Sequence, residues 1–210
     1  MAIDGLRMLA DAMAFATRAH RLQVRKNADR AAYIEHPVRV MHALLARGGV
    51  RDAEVLAAAL LHDTVEDTDA SAADVRAAFG ARVAGIVAEV TDDKSLGKAA
   101  RKRAQVAHVA GMSAGARLVK LADKLDNLTD LLATQPAGWT RADVQGYFAW
   151  SKAVVDAGLR GVCAPLEAEI DALWARTIHA PALADAPFAA LPDASAGFVE
   201  AYYARIAAEQ

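Results

Sequence analysis

Val55-Leu56-Ala57-Ala58-Ala59-Leu60-Leu61-His62-Asp63-Thr64-Val65-Glu66-Asp67-Thr68 sets an apolar run directly against four ionisable residues. Val55 to Leu61 read as a buried helix, and unpaired charge at the end of such a helix is costly. If the helix continues, His62 and Glu66 lie four apart, Asp63 and Asp67 four apart, and Asp63 and Glu66 three apart. All four then crowd neighbouring positions near one face. Three carboxylates and an imidazole so placed repel one another unless a cation holds them, and a hard or borderline divalent metal suits that donor set. The plainer alternative is a helix end followed by a solvated acidic turn.

The chain has 210 residues, enough for one domain with an appendage or at most two small ones. Hydrophobic residues make up 55% and charged residues 24%, which supports a sizeable core and excludes a disordered chain. Much of the apolar share is alanine, which favours helix over sheet. A net charge of −2 exerts no general pull toward nucleic acid or an anionic membrane, so any phosphate binding must come from a local basic patch. The single cysteine, Cys163, cannot form a disulfide within the chain and reads as structural, which fits a reducing, cytoplasmic setting. Asp4, Arg7, Asp11 and Arg18 punctuate the first twenty residues in the manner of an amphipathic helix rather than a signal peptide. No apolar run approaches membrane-spanning length.

Helical spacing of apolar residues predicts a first helix near 4–20, then a polar, basic loop from Arg21 to Ala32. Pro37 fits the first position of a second helix, with His36 at its opening and Gly48-Gly49 at its end. Asp52 caps the third helix, which carries the stretch quoted above. Ser71 to Asp74 resembles a capping box and starts a fourth helix closed at Phe79-Gly80, with a fifth over Val83 to Val90. A charged loop, Thr91 to Lys98, leads into a cationic sixth helix over Lys98 to Val109. The seventh runs from about Ala114 to Ala133, with Asp123, Asn127 and Asp130 off its leucine stripe. Thr140 to Asp143 resembles another capping box and opens an eighth helix; a ninth follows Pro165. Residues 179–193 are rich in Ala and Pro, and a short last helix carries Phe198, Tyr202 and Ile206. No strand-like alternation appears, so the expected fold class is all-α.

Tyr33-Ile34-Glu35-His36-Pro37, Leu60-Leu61-His62-Asp63-Thr64-Val65-Glu66-Asp67-Thr68, Val90-Thr91-Asp92-Asp93-Lys94 and Val119-Lys120-Leu121-Ala122-Asp123-Lys124-Leu125 keep the order and approximate spacing of the HD-domain metal phosphohydrolases. The chain resembles in particular the hydrolase domain of the RelA/SpoT alarmone enzymes of the stringent response. It is most similar to the small stand-alone form, the metazoan SpoT homologue and its bacterial relatives. Gly138-Trp139 and Val144 to Trp150 extend the likeness, which covers roughly residues 5 to 175. It implies an HD-domain helical bundle over 1–178, with 179–210 as an Ala/Pro-rich linker and C-terminal helix.

The resemblance implies that His36, His62, Asp63 and Asp123 hold one metal, usually Mn²⁺, and two imidazoles with two carboxylates suit that ion. It assigns Glu66 and Asp67 to catalysis, where carboxylates can orient a water and take its proton. Support of the metal ligands is their alternative role. The implied substrate is a guanosine tetra- or pentaphosphate alarmone, (p)ppGpp, which loses its 3′-pyrophosphate as a unit to leave GDP or GTP. Arg25, Lys26, Tyr33, Asn127 and Tyr147 match positions expected to contact the nucleotide, and Lys98, Arg101 and Lys102 are further phosphate candidates. Each has a plainer reading alone: His36 as a helix-opening histidine, Asp123 as a solvated helix residue, Tyr147 as core, the sixth helix as a basic face. Another phosphoester, such as the 2′-phosphate of NADPH, is a second possibility within enzymes, and a nucleotide sensor without turnover is a third. No nucleic acid or membrane partner is expected, and the sequence leaves room for a homodimer. The chain departs from the family pattern at Leu22, in the loop Asn27 to Ala32, and at Asp126, whose charge is expected near the nucleotide pocket.

Overall fold

Every residue from Val55 to Leu61 is buried, so helix α3 (Ala53–Leu61) has no solvent face. It is the hub of the molecule. The computed structural model describes residues 3–26, 30–178, 187–191 and 195–208. Around α3 pack α1 (Ile3–Ala19), α2 (Glu35–His42), α5 (Ala72–Val90) and α7 (Ala114–Ala133). Leu56, Leu60 and Leu61 are fully enclosed, each contributing about 1.5–3 kcal/mol relative to exposure. The Asp52 side chain caps α3 by accepting the Glu54 and Val55 N–H groups.

The expected continuous helix through His62 to Asp67 is not what forms. α3 stops at Leu61, and a separate single turn, α4, runs from Thr64 to Asp67. Local side chains explain the break. The His62 imidazole bonds through Nδ1 to the Ala59 carbonyl at 2.9 Å, and the Thr64 hydroxyl donates to the Leu61 carbonyl at 2.6 Å. Carbonyls that would continue the ladder are thus taken by side chains. The four ionisable residues therefore do not share one helical face.

α2 begins two residues before Pro37, so Pro37 lies within the first turn rather than at its first position. After His42 the helix continues as a π turn (Ala43–Arg47), and Gly48 N–H bonds to Ala43 O at 2.9 Å. The fourth and fifth expected helices are one element, α5, kinked at Gly80, whose φ of 87° suits glycine. Both capping boxes form, Ser71 with Asp74 and Thr140 with Asp143.

α6 (Lys98–His108), α8 (Arg141–Gly158) and α9 (Ala164–Trp174) complete the bundle, in which α9 packs on α7, and α6, α8 and α10 (Ser195–Ala208) pack against one another. The fold is all-α; a short two-stranded pairing sets β1 (Thr177–Ile178) antiparallel to β2 (Phe188–Ala189). Ile178, Phe188 and Ala190 are buried there, and Gln145 donates to the Ala189 carbonyl at 2.9 Å. Most of the Ala/Pro-rich stretch, 179–186 and 192–193, lies outside the described residues. Among the described residues, no helix is long and apolar enough to cross a membrane.

Candidate metal centre and active site

α2, the α3–α4 break and α7 bring four side chains to one point. His36 Nε2 lies 3.3 Å from Asp123 Oδ1 and 3.5 Å from Asp63 Oδ2. His62 Nε2 lies 3.1 Å from Asp63 Oδ2 and 3.8 Å from Asp123 Oδ1. The donor atoms of His36, His62 and Asp123 all fall within 4.8 Å of one another, and Asp63 Oδ2 borders the same point. Donors about 2.1 Å from an octahedral ion sit about 3 Å from their neighbours, which is close to these separations.

The buried His62 Nε2 makes no hydrogen bond, while its other ring nitrogen is fixed by the Ala59 carbonyl. With Nδ1 so held, Nε2 is the nitrogen turned toward the carboxylates, the orientation a metal ligand requires. His36 is held in the same way, its Nδ1 lying 2.6 Å from Asp126 Oδ2. The donor set therefore fits a divalent cation.

The electrostatics agree. Burial alone would raise the Asp63 and Asp123 carboxyls. The two histidines, and for Asp123 foremost Lys124, instead hold both below the usual carboxylate range. Burial would lower His36 and His62, but the surrounding aspartates raise both.

Asp126 does not face the nucleotide pocket as expected. Its carboxylate accepts from His36 and from Arg39 Nε at 2.7 Å, which holds it ionised although burial opposes that. Its charge is spent on supporting His36.

Two cavities flank the cluster and share Lys26, Trp139 and Tyr147 in their walls. The larger, about 450 Å³, is lined by Arg25, Tyr33, Asp67, Asn127 and Asp130 among others. Arg25 is locked by Asp130 at 2.6 Å and by Asn127 at 3.0 Å, and lies over the Tyr33 ring. Tyr33 donates its hydroxyl to Asp63 Oδ2 at 2.6 Å. The smaller cavity, about 280 Å³, is lined by Glu66, Asp92, Lys98, Arg101 and Lys102, and on another side by Tyr202 and Ile206.

The two carboxylates of α4 part company. Glu66 borders the cationic cavity, where Oε2 accepts the Asp92 N–H at 2.9 Å. Burial pushes its carboxyl above the ordinary glutamate range; the Asp92 N–H opposes that, and the Asp92, Asp63 and Asp67 carboxylates add to it. Asp67 borders the larger cavity and pairs with Lys94 at 2.6 Å.

Sequence reasoning named Tyr147 but gave no role to Trp139 and Trp150, which flank it in an aromatic ladder with ring centroids 5.8 and 5.2 Å apart. It also missed Asp92, which Gln105 orients through Nε2 at 2.8 Å. Lys124, buried beside Asp123, was missed as well.

An all-helical bundle that gathers two histidines and two aspartates in this way is an HD-domain protein. The HD domain family model matches residues 12–146, and the chain belongs to that family. Within it, the chain is 48% identical over 164 residues to the Drosophila melanogaster guanosine-3′,5′-bis(diphosphate) 3′-pyrophosphohydrolase MESH1, covering 78% of this chain and 91% of the relative. It is 49% identical over 166 residues to the Homo sapiens protein of the same name, covering 79% and 92%. A solved structure described as a metazoan orthologue of SpoT that hydrolyses ppGpp superposes with a TM-score of 0.77 at 47% identity, covering 80% of this chain and 93% of that one. A Listeria monocytogenes structure is similar at 34% identity with a TM-score of 0.56, covering 67% and 92%.

Proposed function

We propose that the protein is a metal-dependent hydrolase that removes the 3′-pyrophosphate from (p)ppGpp, leaving GDP or GTP. The observation that carries this reading is the convergence of His36, His62, Asp63 and Asp123 between an aromatic cavity and a cationic one. The relatives named for this activity support it over nearly their whole length.

The cation is Mn²⁺ in this reading, and when bound it supplies Lewis-acid polarisation of the phosphoryl group and acidifies water. The protein supplies the rest. The larger cavity takes the nucleoside, with Tyr33, Tyr147 and Trp139 offering rings to the base and Arg25 with Asn127 offering fixed polar edges. Lys98, Arg101 and Lys102 face the leaving diphosphate and offset its growing charge. Glu66, raised by burial and held by the Asp92 N–H, orients the attacking water and accepts its proton. Asp67, anchored by Lys94, steadies the Tyr33 side of the site. The lone, buried thiol of Cys163 suits a cytoplasmic setting.

Turnover of ppGpp, NADPH and deoxynucleoside monophosphates is compared with Mn²⁺ present. Release of pyrophosphate from ppGpp in clear preference to phosphate from the others is the expected result. Preference for NADPH reassigns the substrate, and tight ppGpp binding with no product makes the protein a sensor. His62→Ala or Asp63→Ala removes metal and turnover together, and normal manganese content in either variant refutes the ligand assignment.

A further inference from the structure

We propose that α10, which lies beyond the part of the chain that resembles the family, is the outer wall of the cationic cavity, and that Tyr202 is a specificity-determining residue fitting that cavity to a diphosphate. The inference rests on the pyrophosphate-releasing reading for what enters the cavity. By its motifs the likeness to the family runs to about residue 175, and the MESH1 relatives match 78 to 80% of this chain over more than nine-tenths of their own length. The wall is therefore a feature of this chain rather than of the shared bundle.

α10 is anchored on two of the elements that line the cavity. On α6, Arg103 pairs with Glu200 at 3.0 Å and lies 4.2 Å over the Tyr203 ring. On α8, Arg205 pairs with Asp143. Tyr202 is 3% exposed and seats against Gly146, where an added Cβ would fall 2.6 Å from the ring. Glycine at 146 is thus what lets the helices approach closely enough for Tyr202 to reach the cavity.

Inside, Lys102 Nζ sits 3.3 Å from the Trp150 ring centre, 4.7 Å from Tyr147 and 5.4 Å from Tyr202. Three rings form a cage around one ammonium, and Tyr202 is the side that the extension supplies. Burial beside Lys124 makes this cation costly to hold, so an incoming anion gains by meeting it. A single phosphate next to the metal ligands does not need the outer wall. A second phosphate entering this cavity would meet Lys102 and Tyr202, which line it together with Glu66.

The test is calorimetric binding of inorganic pyrophosphate and of orthophosphate to the manganese-loaded full chain, wild type against Tyr202→Ala and Tyr202→Phe. Tyr202→Ala is expected to weaken pyrophosphate about tenfold and orthophosphate less than about twofold, while Tyr202→Phe keeps both near wild type. Equal loss for both anions, no loss for either, or a Tyr202→Phe protein as weak as Tyr202→Ala overturns the assignment. If circular dichroism shows that Tyr202→Ala does not fold, Tyr202→Leu replaces it under the same criteria. Binding is read without turnover, so failure of wild type to cleave ppGpp would sink the functional reading and leave this one separately decided.

Discussion

His36 and Asp126 form a buried pair, with Nδ1 2.6 Å from Oδ2, and this contact fixes which nitrogen His36 turns toward Asp63 and Asp123. Asp126 is held in turn by Arg39. Carboxylates behind a metal-bound imidazole orient the ring and raise its basicity, and their loss weakens metal binding about 10–100-fold. Asp126→Asn is therefore expected to lower Mn²⁺ affinity by that range in a chelator-competition titration while the protein stays folded. Asp130→Asn is the control. Asp130 also binds Arg39, and Arg25, but touches no imidazole of the cluster, so its substitution leaves metal affinity unchanged.

Metal binding is expected to release protons. In the metal-free protein the aspartates outweigh burial and raise both histidines above their ordinary value, His62 well above it, so they hold protons to higher pH than a free imidazole and a cation must displace those protons. The sign follows directly: Mn²⁺ affinity climbs with pH until the raised histidine values are passed, then levels off. Calorimetry in two buffers of different ionisation enthalpy measures the protons released. A binding heat that does not depend on the buffer would contradict the protonated metal-free state.

How much of this was legible in the sequence depended on how local its cause was. Capping at Ser71 and Thr140, the leucine stripe of α7 and the buried run of α3 all follow from spacing alone. His62 and Asp63 stood out because charge follows directly on that apolar run. The break after Leu61 was not legible, because the side chains of His62 and Thr64 compete with the helix for its own carbonyls. Asp126 was misread because its partners, His36 and Arg39, lie some ninety residues away on α2. Tyr202 gave no local signal, since its place in the cavity wall depends on the bareness of Gly146.

The pH dependence of turnover should report Glu66. Its carboxyl is raised, first by burial, and the ionised form is the one able to take a proton. Activity at saturating Mn²⁺ therefore falls as pH drops through a value above the ordinary glutamate range. Asp92→Asn removes one of the neighbouring charges that raise Glu66, yet keeps the backbone N–H that binds it and an amide oxygen for Gln105. The acid inflection of kcat/KM is expected to move to lower pH in that variant. An unmoved inflection would assign the limb to another group.

Two glycines should respond to alanine with opposite sign. At Gly158, in the last turn of α8, an added Cβ would meet Ala110 N at 2.6 Å and Ala110 Cα at 2.7 Å. Those atoms are backbone and cannot rotate aside, so the helix end must shift. Gly158→Ala is expected to lower unfolding free energy by about 1–3 kcal/mol, the usual cost of forcing extra volume into a packed contact. Gly85, on the exposed side of α5, meets nothing within 4 Å and has no positive φ. Alanine there only restricts the unfolded chain and suits the helix, so Gly85→Ala is expected to add about 0.5–1 kcal/mol. Urea unfolding of the two variants measures both. A Gly158→Ala protein as stable as wild type would mean that the contact between α8 and the turn after α6 has more give than its 2.6 Å approach allows.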